Sequence, residues 1–512
     1  MKQAHSLRGF RDIVPQEQKY WQFVYTTFES IARAYSFQKI DLPLLEETSL
    51  FKRAVGDDTD IVEKEMFDFI DKGGDNVALR PEGTAGAVRA YIEHGMLNQP
   101  QPVKLYYVGP MFRYERPQAG RFRQFYQVGI EAFGSPAPVV DAEIIMISYA
   151  LCKALGLSTT VQINSLGSLD SRENYKKVLV DYYKPKKNLL CDTCKKRLVK
   201  NPMRLLDCKE VTCQEFKEDA PQLVDHLSND DKTHFVKVLE HLDEAEVPYV
   251  LNPFVVRGFD YYTRTIFELW SKSDVVEGEE KKEEAESSTS AVGGGGRYDL
   301  LVEYLGGNPT PASGMAMGVD RLVALMKQQK VEIPDDDVCD VFLAQLGEEA
   351  KKRALKLFEM LRLGDIRVRA NFSKDGLKQQ LEMADKYGVK FTLILGQKEI
   401  MDGTLLIRDM ESGIQEVVDF NKSVSEIKKR LEKSKNIVVV NGEAPEPGSE
   451  VVTHLPASHG GRRGRKRAEE EADEPDNVER LNNPSMDDTQ ESDFVTLDAS
   501  EKEEDNEVQP YE

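Results

Sequence analysis

Residues 104–133 read KLYYVGPMFRYERPQAGRFRQFYQVGIEAF, and this stretch decides the fold class. KLYYVG and FRQFYQVGIEAF are extended runs rich in aromatic and β-branched residues. Between them RYERPQAGR carries proline, glycine and several arginines, so the pattern predicts a long hairpin with a cationic loop. In the second strand, alternation puts Phe125, Gln127, Gly129, Glu131 and Phe133 on one face and Tyr126, Val128, Ile130 and Ala132 on the other. A glutamine and a glutamate with glycine between them leave a floor across which a small polar ligand could lie. For the strand taken alone, a solvent-exposed sheet face is the plainer reading.

Outward from the hairpin, Pro15 followed by Trp21, Val24, Phe28, Ile31, Ala32 and Tyr35 has helical spacing, with proline in the first turn and an end before Ser36. FQKIDLPLL (37–45) reads as a strand whose Pro43 suits an edge or an interface. VVRGFDYYTRTIFELW (255–270) is a further strand candidate, and ASGMAMGVDRLVALM (312–326) passes from small residues into a helical period. Strands paired by hairpins and interrupted by helices predict an α+β domain with an antiparallel sheet flanked by helices. It covers residues 1–330, with an inserted helical region at about 170–250 and an acidic loop at 271–290. From about residue 338, strand and helix alternate through DVFLAQLG, EEAKKRALKLFEMLR, IRVRANF, KDGLKQQLEMADKYG and KFTLILG. That alternation predicts a separate three-layer α/β domain with a largely parallel sheet over 338–432. After about residue 440 periodicity is lost, and 440–512 is expected to be a disordered acidic tail carrying one basic cluster, GRRGRKR, at 461–467.

At 512 residues and 40 % apolar content the chain has material for more than one core. No stretch reaches the roughly 18 apolar residues of a membrane span, and the expectation is a cytoplasmic protein. The net charge of -21 is concentrated: counting the sequence gives about -14 for 441–512 and about -4 for 271–290, leaving roughly -3 elsewhere. A nearly balanced body can still carry basic surfaces that track phosphates, so RNA remains an admissible partner. Four of six cysteines fall within 191–213, which is not a secreted disulfide pattern in a chain this long. Cys191, Cys194, Cys208 and Cys213 have spacing that could build a four-thiolate zinc site. Reduced free thiols are the alternative, and no metal ligand is counted among the expected site residues.

Arginines gather on the hairpin. Arg113 ends the first strand, Arg116, Arg121 and Arg123 surround the turn, and Arg257 starts another glycine-flanked strand. Guanidinium forks suit phosphate and carboxylate oxygens, which makes a nucleotide plausible beside the Gln127–Glu131 floor. GGGGRYD (293–299) lacks the strand and helix context of a P-loop, so any ATP must be held by arginine clamps in another architecture.

Five runs then resemble one family, in its order: LRPEGTAGAVRAYIEHG (79–95), YVGPMFRYERPQAGRFRQFYQVGIEAFG (107–134), VVRGFDYYTRT (255–265), GGGRYDLLVEYLGG (294–307) and GMAMGVDRLVALM (314–326). They look like the histidyl-tRNA synthetases, and RGFDYYTRT with GGGRYD resembles that family's two histidine-specific motifs. The resemblance extends over residues 5 to about 432. It implies a class II catalytic domain, an anticodon-binding domain at 338–432, and a homodimer made through the first helix and the Pro43 strand. It implies that L-histidine, ATP with Mg2+, and tRNA(His) are the partners. Histidine would be bound by Glu82, Gly83, Thr84, Arg113, Gln127, Glu131, Arg257, Tyr261, Tyr262 and Tyr298. Among these, Glu131 and Tyr262 would read the imidazole, and Glu82 with Gln127 would hold the α-amino group. ATP would be bound by Arg113, Glu115, Arg121 and Arg321. Arg113 and Arg257 would stabilise the transition state.

The acidic stretch EGEEKKEEAESS (277–288) is longer than the family leads one to expect and reads as a solvated loop. Two other functions reuse such a fold: a catalytically dead paralogue that regulates a biosynthetic enzyme, and a tRNA-binding protein without chemistry. The first usually lacks the histidine motifs and the C-terminal domain, both retained here; the second predicts tRNA binding without ATP turnover.

Overall fold

Pro15 sits where a missing N–H costs nothing, at the start of the helix Pro15–Ala34, and the three-and-four spacing buries Trp21, Val24, Phe28 and Ala32 on one face. The chain leaves that helix at Ser36, whose φ is +65°. The computed structural model describes residues 3–438 apart from 57, 58, 60, 117–120, 207, 209, 272–290 and 334–338. The expectations for the acidic stretch and for the tail from 440 onward lie outside the described residues.

Among the described residues eleven strands follow in the first part of the chain: β1 (Gln38–Lys39), β2 (Leu45–Glu47), β3 (Phe67–Ile70), β4 (Asn76–Leu79), β5 (Val103–Phe112), β6 (Gln124–Phe133), β7 (Thr159–Ser165), β8 (Tyr249–Leu251), β9 (Thr263–Ser271), β10 (Ala291–Arg297) and β11 (Ala312–Gly318). Eight of them form one sheet in the order β1-β5-β6-β11-β10-β9-β7-β8. The six central strands are antiparallel throughout, while β1 and β8 close the two edges in parallel pairings. The hairpin β5–β6 has the expected register, Tyr107 opposite Gly129 and Leu105 opposite Glu131. Val128, Ile130 and Ala132 pack into a core with Trp21, Phe28 and the helix Pro138–Ala154. The opposite face of β6 is left for the site.

Two expectations are corrected here. Residues 37–45 are not one strand. β1 and β2 are separate, with Pro43 between them, and β2 joins β4 and β3 in a three-stranded sheet. The carbonyls of Leu42 and Pro43 are taken instead by the guanidinium of Arg80. The 255–270 strand begins only at Thr263, so Arg257 lies in the loop that precedes β9.

The inserted region consists of the helices Leu169–Tyr183, Asp192–Lys200, Val211–Gln214 and Asn229–Glu244, joined by short 3-10 turns. Beyond it, β12 (Val341–Gln345), β13 (Val368–Ala370), β14 (Phe391–Leu395), β15 (Thr404–Asp409) and β16 (Gln415–Asp419) form a second sheet in the order β13-β12-β14-β15-β16. Val341 and Leu343 face a core with the helix Glu348–Leu363, whereas Phe342 and Ala344 face one with the helix Leu377–Lys386. Helices therefore cover both sides of β12, giving three layers. The sheet is parallel only at β13, β12 and β14. β15 and β16 add an antiparallel pair that the sequence reading missed. No described helix is long and apolar enough to cross a membrane.

Candidate active site

The floor of the site is built by close approach across the sheet. Gly129 is opposite Tyr107, and a Cβ on Gly129 would lie 2.4 Å from the phenol ring. With no side chain there, the ring crosses the strand and Tyr107 donates its hydroxyl to Glu131 Oε1 at 3.1 Å. Thr84 donates to the same oxygen at 2.8 Å, and the Tyr298 hydroxyl donates to Oε2. Gly314, paired with Glu131 between β11 and β6, makes room for that carboxyl, since a Cβ there would come 1.8 Å from Oε2. Glu131 is fully buried, and burial above all pushes its pKa up to about 8, with the nearby Glu82 adding to the rise and the hydroxyl donors opposing it.

Glu82 is held differently. Its carboxylate accepts the backbone N–H groups of Thr84 at 2.6 Å and Ala85 at 2.8 Å, at the start of the helix Thr84–Glu93. Burial raises its pKa, and these amides at the positive end of the helix oppose the rise. Gly83 stands at the cap of that helix and packs on the Tyr107 ring.

Around this floor runs a cationic wall. Arg113 donates to the Pro81 carbonyl at 2.9 Å and lies over the rings of Phe125 and Phe259, 5.3 and 5.7 Å from their centres, so its fork is held flat. Glu115 is paired with Arg113 at 3.9 Å and with Arg121 at 3.6 Å. Arg257 donates to Glu268 at 2.9 Å and to the Tyr262 hydroxyl at 3.4 Å. Gly294 of β10 lets it in, since a Cβ there would lie 2.8 Å from Nη1. Arg321 donates to the Ala291 carbonyl at 2.6 Å. Tyr261 stacks on Phe259 and meets Tyr262 and Tyr298 edge-on or tilted.

These groups enclose a cavity of about 420 Å³, lined by Glu82, Thr84, Arg113, Glu115, Arg121, Gln127, Arg257, Tyr261, Tyr262, Tyr298 and Arg321. Of the expected site residues, Gly83 and Glu131 are not in the lining; Glu131 is buried beneath Thr84, Tyr107 and Tyr298. Arg116 and Arg123 do not line the cavity either, and Arg123 instead covers the ring of Tyr114. Two polar atoms at the site are buried without a hydrogen-bond partner among the described residues: Gln127 Oε1, an acceptor, and Arg257 Nε, a donor. Such orphans are costly unless a ligand satisfies them, so the pair fits a molecule carrying both a donor and an anionic acceptor.

The sequence reading missed Tyr107, Glu268 and Arg204, all of which border this site. Tyr107 was recoverable, because pairing the hairpin sets it opposite Gly129. Glu268 lies within the long β9 run, and Arg204 comes from the inserted region; neither carries a local signal.

The family pattern of the histidyl-tRNA synthetases matches residues 9–322, and that of an anticodon-binding domain matches residues 340–430. The chain belongs to the histidyl-tRNA synthetase family. A histidine–tRNA ligase of Caldicellulosiruptor saccharolyticus is 44 % identical over 425 residues, which cover 83 % of this chain and 99 % of that one. The apo histidyl-tRNA synthetase of S. aureus superposes with a TM-score of 0.69 at 33 % identity, covering 83 % of this chain and 100 % of that chain. The histidyl-tRNA synthetase of a Nostoc species, 20 % identical with a TM-score of 0.58 over 83 % of this chain and 99 % of its own, shares the fold. Within this synthetase-family chain the four cysteines of the inserted region converge, with all Sγ atoms within 4.8 Å of one another, and none of them lines the cavity.

Proposed function

We propose that this chain is a histidine–tRNA ligase: it activates L-histidine with ATP to histidyl-adenylate and pyrophosphate, then transfers histidine to the 3′-terminal adenosine of tRNA(His). The observation that carries this reading is a buried carboxyl, Glu131, beneath a cavity walled by Arg113, Arg121, Arg257 and Arg321.

Neutral imidazole offers one donor and one acceptor, and a carboxyl together with phenols can satisfy both nitrogens. Glu131, Tyr262 and Tyr298 supply that set, while Glu82, Gln127 and Thr84 take the α-ammonium through their oxygens. An amino acid without the imidazole pair would leave these buried groups unmatched, which discriminates strongly without editing. In the first step an oxygen of the histidine carboxylate attacks the α-phosphorus, the bond to the bridging oxygen breaks, and pyrophosphate leaves. Arg113 and Arg257 draw the two anions together and hold the charge that develops between them. Arg121 reaches the outer phosphates and Arg321 lies against adenine. Glu115, a carboxylate on the same cavity wall, would hold Mg2+ brought in with ATP once the nucleotide phosphates draw off its arginine partners, and the ion would supply neutralisation of phosphate charge. In the second step a ribose hydroxyl attacks the carbonyl carbon and AMP departs.

In this reading residues 1–330 form the catalytic domain and residues 338–432 the domain that contacts the anticodon. The enzyme works as a homodimer in the cytoplasm. Leu44 and Leu45, exposed beside Pro43, are apolar surface suited to a second copy. The first helix, by contrast, spends its apolar face on its own core.

Labelled histidine should become attached to a tRNA(His) transcript in the presence of the full chain and ATP. Periodate oxidation of the 3′ end should abolish the charging and leave histidine-dependent ATP–pyrophosphate exchange intact. Exchange without charging of the intact transcript would refute the transfer step.

A further inference from the structure

We propose that Cys191, Cys194, Cys208 and Cys213 hold one structural Zn2+ in a four-thiolate site, outside the cavity described above. All four Sγ atoms lie within 4.8 Å of one another, and those of Cys191 and Cys208 are 3.9 Å apart. Zn–S bonds of about 2.3 Å in a tetrahedron put the sulfurs about 3.8 Å from each other. One pair already stands at that spacing, and the widest needs to close by only about 1 Å, within reach of side-chain rotation. A disulfide needs about 2.05 Å and would join the sulfurs in pairs, whereas here four converge on one point.

The surroundings suit a closed metal centre. Cys194, Cys208 and Cys213 are buried and Cys191 partly so. Leu190, Leu198, Met203, Leu205 and Leu206 belong to the same apolar cluster. Two backbone amides point at sulfur: Cys194 N–H donates to Cys191 Sγ at 3.4 Å, and Cys191 N–H donates to Cys213 Sγ at 3.3 Å. Amide donors of this kind stabilise thiolate and orient the ligand. Four thiolates around Zn2+ leave two negative charges. Cys191 caps the helix Asp192–Lys200, so the positive helix end offsets part of that charge. Each coordinating thiol releases its proton to solvent as its S–Zn bond forms, so metal uptake is proton-releasing.

A clip has a use at this place. Between Tyr183 and Leu227 the chain consists of elements of four to nine residues, too short to persist by their own hydrogen bonds. The span from Cys194 to Cys208 also carries Asn201, which donates to Asp260 at 3.3 Å, and Arg204, which lines the catalytic cavity. Zinc would fix the segment that presents Arg204 to the site.

The test is metal analysis of the full chain, produced with zinc supplied and purified under reductant without chelator. About one zinc per chain is expected, falling below about 0.2 in Cys194→Ser and Cys208→Ser and unchanged in Cys152→Ser and Cys339→Ser. Should the first two variants not fold, a mercurial titration of the unmodified protein decides: zinc should be released in step with four thiols, followed by proteolytic cleavage within residues 184–226. Less than about 0.2 zinc in the unmodified chain, iron in its place, or zinc retained by both site variants would overturn the proposal.

Discussion

Arg257→Ala should lower the rate of histidine-dependent ATP–pyrophosphate exchange by about 10³-fold per folded molecule, and lower the melting temperature as well, because Glu268 loses its largely buried partner. A unit charge about 4 Å from an anion in a site of effective dielectric near 20 contributes roughly 4 kcal/mol, and 4 kcal/mol is about 10³ in rate. The full figure applies because Arg257 is preorganised: Glu268 and Tyr262 hold two of its nitrogens, and Nε is left as an unused buried donor. Arg257→Lys should recover only part of the loss, since an ammonium cannot hold Glu268 and two substrate oxygens in the geometry of the fork. Exchange kinetics with ATP and histidine varied separately check this. The loss should appear in kcat, because the clamp acts on charge that grows as the anions approach. A variant with unaltered kcat would place the charge stabilisation elsewhere.

The second large effect concerns Glu131→Gln, which should reduce kcat/KM for histidine by about 10²-fold or more while leaving the KM for ATP near its original value. The amide preserves shape but puts two fixed donors where the carboxyl carries a single movable proton, in a shell already made of the Thr84, Tyr107 and Tyr298 hydroxyls. A pH signature accompanies it. Glu131 keeps its proton up to about pH 8 in the folded protein and up to about 4.5 in the unfolded chain, so unfolding releases a proton between those values. Stability from this group is therefore present at low pH and lost as pH rises toward 8. Glu131→Gln removes that loss, so its melting temperature should gain progressively on the unmodified protein as pH rises from about 4.5 to about 8. A difference independent of pH would contradict an elevated carboxyl pKa.

Much of the architecture was legible because it rests on local pattern. The β5–β6 hairpin follows from two alternating runs around a proline and glycine loop, and the face bearing Gln127 and Glu131 follows from period two alone. The first helix and its buried stripe follow from spacing in the same way. Where the reading failed, tertiary pairing overrode composition. Pro43 and the Arg80 guanidinium split 37–45 into two strands of different sheets. The aromatic run at 255–270 looked continuous, yet its first eight residues serve as a loop that carries Arg257 and the paired tyrosines. The antiparallel end of the second sheet was missed because TLLIRD and QEVVD are short and partly polar. For the site, arginine clustering pointed to an anion, but the burial of Glu131 and the entry of Tyr107 over Gly129 depend on contacts that no single strand encodes. Histidine itself was named by resemblance to a family rather than by spacing.

The measurement that tests the central claim most directly is ATP–pyrophosphate exchange by the full chain with each proteinogenic amino acid in turn. Exchange supported by histidine and by no other, at saturating ATP and Mg2+, is the predicted result. Comparable exchange with a second amino acid would contradict the reading of the buried Glu131 pocket as a histidine selector. No exchange in a correctly folded preparation would contradict the activation chemistry assigned to Arg113 and Arg257.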